Sequence, residues 1–189
     1  LPEKNFSAYP VILVQNYHLE LSVNNHTEYR SPMVNNNYIR IGNPSMSSEG
    51  NNTFIGNAGI SDVYNAITIQ ESSNSSCINE ADNIQIIIPD GMGIEWEEPD
   101  ILSLQLSGSA YSSGRIGEIT LENDTIINID ILSDFIINDD FVIESGLQVN
   151  VLGNQDFSQQ SLSLEIGKQN TNEDRYDSKF LAIATPSLI

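Results

Sequence analysis

Carboxylates are the one abundant reactive group in this sequence, with 26 Asp and Glu against 7 Lys and Arg in 189 residues. They gather in three places. Glu95, Glu97, Glu98 and Asp100 flank Trp96; Asp134, Asp139, Asp140 and Glu144 crowd one turn region; Glu173, Asp174 and Asp177 precede the last apolar stretch. Two chemistries are open to such groups. Paired carboxylates held about 5–10 Å apart across a cleft hydrolyse glycosides, and six to eight oxygens from carboxylates, amides and carbonyls hold calcium. Asp134, Asp139 and Asp140 in SDFIINDD are the first choice as calcium ligands. No Asp-x-Asp-x-Asp-Gly loop accompanies them, so a solvated acidic surface that maintains solubility is the expected role of each cluster, with Ca2+ as the minority alternative.

Other reactive groups are sparse. His18 in YHLELSV and His26 in an Asn-rich stretch lack a nucleophile motif or a Glu-flanked His pair nearby. Cys77 is the single cysteine, which permits no intrachain disulfide, and with two histidines it cannot complete an ordinary zinc site. No residue is assigned as catalytic, and a non-enzymatic protein is expected. The formal charge of -19 repels phosphate backbones and anionic lipid heads, which excludes nucleic acid and bare membrane as partners. No run approaches the roughly 20 apolar residues of a membrane-spanning helix. Leu1–Glu3 shows no basic segment followed by an apolar one, so a secretory signal is expected to have been removed already or never to have existed. Sequons start at Asn5, Asn25, Asn51, Asn74 and Asn123, as coincidence supplies in a chain so rich in Asn, Ser and Thr.

The dominant hydrophobic period is two, the mark of strands with one face on a core and one in water. Strands are expected at 17–23, 38–41, 66–70, 83–88, 102–107, 118–121, 125–131, 141–143, 147–151, 162–166 and 180–184, divided by Asn, Gly, Asp and Ser clusters that read as turns. About ten short strands at this spacing imply an all-β fold, an antiparallel β-sandwich of Ig-like or jelly-roll-like type. Asn24–Asn37 and Asn43–Asp62 are expected to be long loops, the second on the surface. Residues 1–15 are read as an extended arm or first strand, and 16–189 as a single sandwich domain. At the continuous run Ile86–Ile88 alternation does not decide which face is buried.

The second half has a recognisable order: IQIIIPDGMGIEW at Ile84–Trp96, then LSLQLSG, then IINIDILSDFIINDDFVIESGLQV at Ile126–Val149. Pro89 closes its strand because it cannot donate to a ladder, Asp90 and Gly91 make the turn, Trp96 offers a core anchor, and Gly146 relieves a tight bend. This order resembles the β-sandwich modules that bacteria carry, often in tandem, in large secreted and cell-surface proteins. The chain departs from that pattern in having Glu144 before Ser-Gly-Leu and Asp139 where Gly or Ala is usual. The resemblance implies an architecture and an extracellular location, without a catalytic site.

The N-terminal FSAYPVILVQ at Phe6–Gln15 is apolar, and Pro2 and Pro10 suit an extended edge segment. It either pairs within its own sheet or inserts into a neighbouring subunit. In the second case Phe6, Tyr9, Val11 and Leu13 bind the partner and the contact generates a head-to-tail polymer. The composite expectation is a structural subunit or module of a surface filament, sheath or adhesin, its partners further copies of itself or other surface proteins. A carbohydrate-binding module is the alternative. It needs a row of exposed aromatics, whereas the single Trp and the seven Tyr are dispersed.

Overall fold

A computed structural model describes residues 17–21, 33–39, 42–80, 82–153, 159–167 and 175–184. The chain divides into two compact units, 1–41 and 42–189. Residues 16–41, grouped with the sandwich in the sequence reading, fall within the first unit. Among the described residues that unit contains one antiparallel pair, β1 (Tyr17–Leu21) with β2 (Met33–Ile39), from Tyr17 opposite Ile39 to Leu21 opposite Met33.

The second unit is built from short strands. In chain order they are β3 (Ser45–Ser48), β4 (Asn52–Ile55), β5 (Gly59–Asp62), β6 (Ile67–Gln70), β7 (Asn83–Ile87), β8 (Ile94–Trp96), β9 (Gln105–Ser107), β10 (Ile116–Asn123), β11 (Ile126–Ile131), β12 (Asp140–Ser145), β13 (Gln148–Val151), β14 (Ser163–Ile166), β15 (Arg175–Tyr176) and β16 (Leu181–Ala184). A single helical turn, α1 (Ser109–Ser112), links β9 to β10. One sheet has the order β10-β11-β7-β14-β15 and another β3-β6-β12-β9. A third, β5-β13-β8, continues the second. The chain from Gly59 to Gln70 pairs with that from Asp140 to Val151 in one antiparallel register, Gln70 opposite Asp140 at one end and Gly59 opposite Val151 at the other. β4 and β16 form a separate parallel pair.

Period-two patterning explains why these segments are strands and which side faces inward. Ile84, Ile86, Ile127, Ile129 and Leu164 of the five-stranded sheet share one core with Met46, Ile67, Ile69, Phe141 and Ile143 of the four-stranded sheet. That shared core makes the unit a β-sandwich. Ile86 and Ile88 are buried and Ile87 is half-buried, which settles the face at that run. A fully buried isoleucine stabilises by roughly 1.5–3 kcal/mol, so this inner layer supplies the main favourable contribution.

Three expectations are corrected. Asn43–Asp62 is not a surface loop: it holds β3, β4 and β5, and buries Met46 and Phe54. The alternation there was hidden because Ser48 and Asn52 occupy inward positions and are themselves buried. The expected loop at Asn24–Asn37 gives way at its end to β2, which begins at Met33. The strand expected from Leu102 starts at Gln105. Asp100 instead closes a turn, its carbonyl accepting from the Ser103 and Leu104 amides (2.8 and 3.1 Å) and its side chain from the Leu102 amide (3.0 Å).

Candidate functional site

The two sheets are closed along one side by a carboxylate. Asp177, just past β15, is 5% exposed and accepts from the backbone amide of Ser48 in β3 at 3.1 and 3.0 Å, from the Ser48 hydroxyl, and from the Lys179 amide at 3.0 Å. The Ser48 amide points away from β6, so Asp177 caps an otherwise unpaired edge and joins it to the edge of the opposite sheet. Glu71 does a similar job at the end of β6. It is buried and accepts from the amides of Ser72 (2.6 Å), Cys77 (2.9 Å) and Ile78 (2.8 Å) and from Cys77 Sγ (3.2 Å).

Of Asp134, Asp139 and Asp140, the Asp139 carboxylate and the Asp134 carbonyl meet a cation of the protein, Arg115, while the Asp140 carboxylate engages Ser109. Asp139 is buried; its Oδ1 accepts from the Ser109 hydroxyl (3.0 Å) and its Oδ2 from the Ile136 amide (2.9 Å). Arg115 Nε lies 3.0 Å from Oδ2 as an ionic contact without hydrogen-bond alignment. Nη1 of the same arginine donates to the Asp134 carbonyl (2.6 Å), while Asp134 Oδ1 accepts from the Glu80 amide (2.9 Å). The Ser109 amide donates to Asp140 Oδ1 (2.8 Å), and the Asp140 amide donates back to the Ser109 hydroxyl (3.0 Å). Since Gly108 has no side chain to cap α1, Asp140 supplies that acceptor from β12, the strand beside β9 in the same sheet. Among the described residues no three His, Cys, Asp or Glu side chains are grouped to hold a metal ion. The departure at Asp139 from the resembled pattern thus has a physical reason: it is the counter-ion of Arg115. Glu144, the other departure, is exposed on β12 and accepts from the Ser107 hydroxyl.

The hydrogen bond from the Ser109 amide, at close quarters with the Ser109 side chain, holds the Asp140 carboxyl below its ordinary value of 3.8. A carboxyl depressed in the folded state stabilises above its unfolded pKa and loses that contribution as pH falls through the folded value. The stability difference between the parent and Asp140→Asn is therefore expected to be fully present above pH 3.8 and to shrink below it, read from thermal midpoints across an acid series. A difference that stays constant down to pH 2 would show that the contact with Ser109 does not favour the ionised form.

Arg115, Ser109, Glu71 and the clamp role of Asp177 were missed by sequence reasoning. Phe6, Tyr9, Val11 and Leu13 lie outside the described residues. His18 is in β1, opposite Tyr38. Trp96 is buried as a core anchor, which removes it as a sugar-stacking platform. Tyr64, Tyr111 and Tyr176 are exposed, but they sit beyond β5, on α1 and on β15. Among the described residues no helix is long and apolar enough to cross a membrane.

Strand edges differ in what they expose. β10 is long, but it carries two register shifts and exposes Glu118 and Glu122, both devices that discourage added strands. β3 is capped by Asp177. The β8 edge is engaged by the Trp96 amide, which donates to the Asp124 carbonyl (2.7 Å). β5 has no such cover among the described residues. Val63 donates to the Leu147 carbonyl (2.9 Å), and the register then directs the backbone groups of Gly59 and Ser61 to β13 and those of Ile60 and Asp62 outward.

No protein-family profile matches the chain, and no curated protein matches it. Among solved structures, a non-cellulosomal cohesin from the hyperthermophilic archaeon Archaeoglobus fulgidus is similar at 11% identity and a TM-score of 0.37, covering 75% of this chain and 91% of that one. The major subunit of aggregative adherence fimbriae type I from Escherichia coli is similar at 11% identity and a TM-score of 0.35, covering 77% of this chain and 97% of that one. At these values the likeness carries nothing about ligand or partner to this chain, whose β-sandwich is read from its own strands and core.

Proposed function

We propose that this chain is a non-enzymatic, extracellular structural protein, a β-sandwich subunit or module of a surface filament, sheath or adhesin, joined to its neighbours by N-terminal strand addition. The observation that carries this is the charge distribution. In a chain of formal charge -19, Asn5–Leu19 contains no Asp, Glu, Lys or Arg. Acidic copies repel one another, so a self-contact is cheapest through an uncharged apolar segment able to form a strand. The carboxylates support the same reading, since Glu71, Asp139 and Asp177 are occupied by backbone and side-chain donors that hold the sandwich together.

Removing Leu1–Gln15 is expected to abolish polymer seen by electron microscopy and to leave a slowly sedimenting monomer. Raising ionic strength from about 0.01 to 0.15 M, which shortens the screening length from roughly 30 to 8 Å, is expected to promote assembly of the parent. Assembly that survives the deletion unchanged would end the donor-strand reading.

A further inference from the structure

We infer that β5 is the edge that receives the arm of a second copy, with Val11–Val14 lying along Gly59–Asp62; this rests on the strand-addition reading above. Three observations converge on β5. Its outward side offers the amides and carbonyls of Ile60 and Asp62, four backbone groups that no described strand pairs. Exposed apolar side chains lie on this strand and on the segments joined to it: Ile60 is 61% exposed, Ile55 at the end of β4 is 58% exposed, and Leu152 just past β13 is 54% exposed. Gly50–Gln70 contains one charged residue, Asp62, whose Oδ1 already accepts from Gln148 Nε2 (2.8 Å). A second copy, acidic as a whole, meets little like-charge opposition at this stretch.

The occupant follows from length and chemistry. β5 has four residues, and the arm provides four consecutive apolar residues after Pro10, Val11-Ile12-Leu13-Val14, before the polar Gln15 and Asn16. None is proline, so each keeps the amide that a ladder needs. Successive side chains of an added strand point to opposite faces. One alternate pair therefore lies on the face that Ile60 and Leu152 occupy, and the other faces inward. The arm carries no net charge from Asn5 onward, which matches the charge-poor edge better than any acidic stretch of the chain.

Two full-length variants test the acceptor. Ile60→Pro removes an amide that points away from β13, leaving the internal ladder intact, and Ile60→Lys places a charge on the same edge without touching the backbone. Both are expected to stay monomeric in sedimentation while keeping the parent's circular dichroism; if Ile60→Pro misfolds, Ile60→Lys decides. Ile60→Lys still carries the arm, and the chain lacking Leu1–Gln15 still carries the edge. Mixed, they are expected to form a one-to-one dimer that neither forms alone. Polymer formed by Ile60→Lys, alongside loss of polymer on arm deletion, would place the acceptor elsewhere and leave strand addition standing. Polymer formed both by Ile60→Lys and by the chain lacking Leu1–Gln15 would remove strand addition itself. A folded Ile60→Lys that neither polymerises nor pairs with the arm-less chain would also overturn the assignment, because its loss could not then be traced to the edge alone.

Discussion

Asp139→Ala is expected to lower unfolding stability by about 3–5 kcal/mol, the range for removing one partner of a buried ion pair. Asp139 has 4% side-chain exposure and Arg115 20%, so the pair is mostly shielded and the remaining guanidinium would face a low-dielectric site without its counter-ion. The Ser109 hydroxyl and the Ile136 amide would lose their acceptor as well, and unsatisfied buried donors cost about 1–3 kcal/mol each when water cannot reach them. Total stability of a domain is about 5–15 kcal/mol, so this one change removes a large part of it. Urea denaturation reads the result as a lower midpoint at unchanged slope. Exposed Glu144 serves as the reference, since its replacement by alanine should fall within about 0.5 kcal/mol of zero. Arg115→Met combined with Asp139→Ala should cost less than the two singly, because the stranded cation is gone. A loss below 1 kcal/mol for Asp139→Ala would mean that the carboxylate is solvated and that the turn is held by other contacts.

How far the sequence exposes these features depends on the range of the interaction. Ile84, Ile86, Ile127 and Ile129 announce their strands by local alternation, and all four lie fully inside. β3 and β4 do not, because Ser48 and Asn52 take inward positions that hydrophobic patterning reserves for apolar side chains. Their polar groups are tolerated only through distant partners. Ser48 meets Asp177, 129 residues away, and the Asn52 amide oxygen accepts from the Tyr64 amide (3.2 Å) and Asn65 Nδ2 (3.1 Å). Only the local half of the Asp177 clamp, its bond to the Lys179 amide, follows from a short-range turn pattern. For Arg115 a signal was present: between Arg40 and Lys168 it is the one basic residue. A lone cation in an acidic span has many possible counter-ions, and burial selects Asp139 from among them. The protein groups that engage the oxygens of Asp134, Asp139 and Asp140 lie at Glu80, Ser109, Arg115 and Ile136.

Gly146 is the position where a one-carbon addition should do the most damage to the route between the core and the β5 edge. It stands between β12 and β13, in the long segment that pairs with Gly59–Gln70, at a φ of 96° that L side chains rarely adopt. A Cβ there would lie 2.5 Å from the Ser103 carbonyl oxygen and 2.8 Å from Leu104 Cα. Both are main-chain atoms, so no side-chain rotation relieves the overlap. Strain at such a φ costs about 1–3 kcal/mol, and forcing packed backbone apart costs about the same again. Gly146→Ala is therefore expected to destabilise by about 2–6 kcal/mol. It should also shift β13 enough to weaken any assembly through β5, because Val149 and Val151 hold that strand in register. Gly91→Ala separates the two causes: Gly91 has a φ of 78° but nothing within 4 Å of an added Cβ, so only the conformational part applies. Thermal midpoints of the two variants should differ clearly, with Gly146→Ala the lower. Equal losses would mean that the segment at Ser103 and Leu104 yields freely, and that the bend between β12 and β13 is set by the glycine's φ alone.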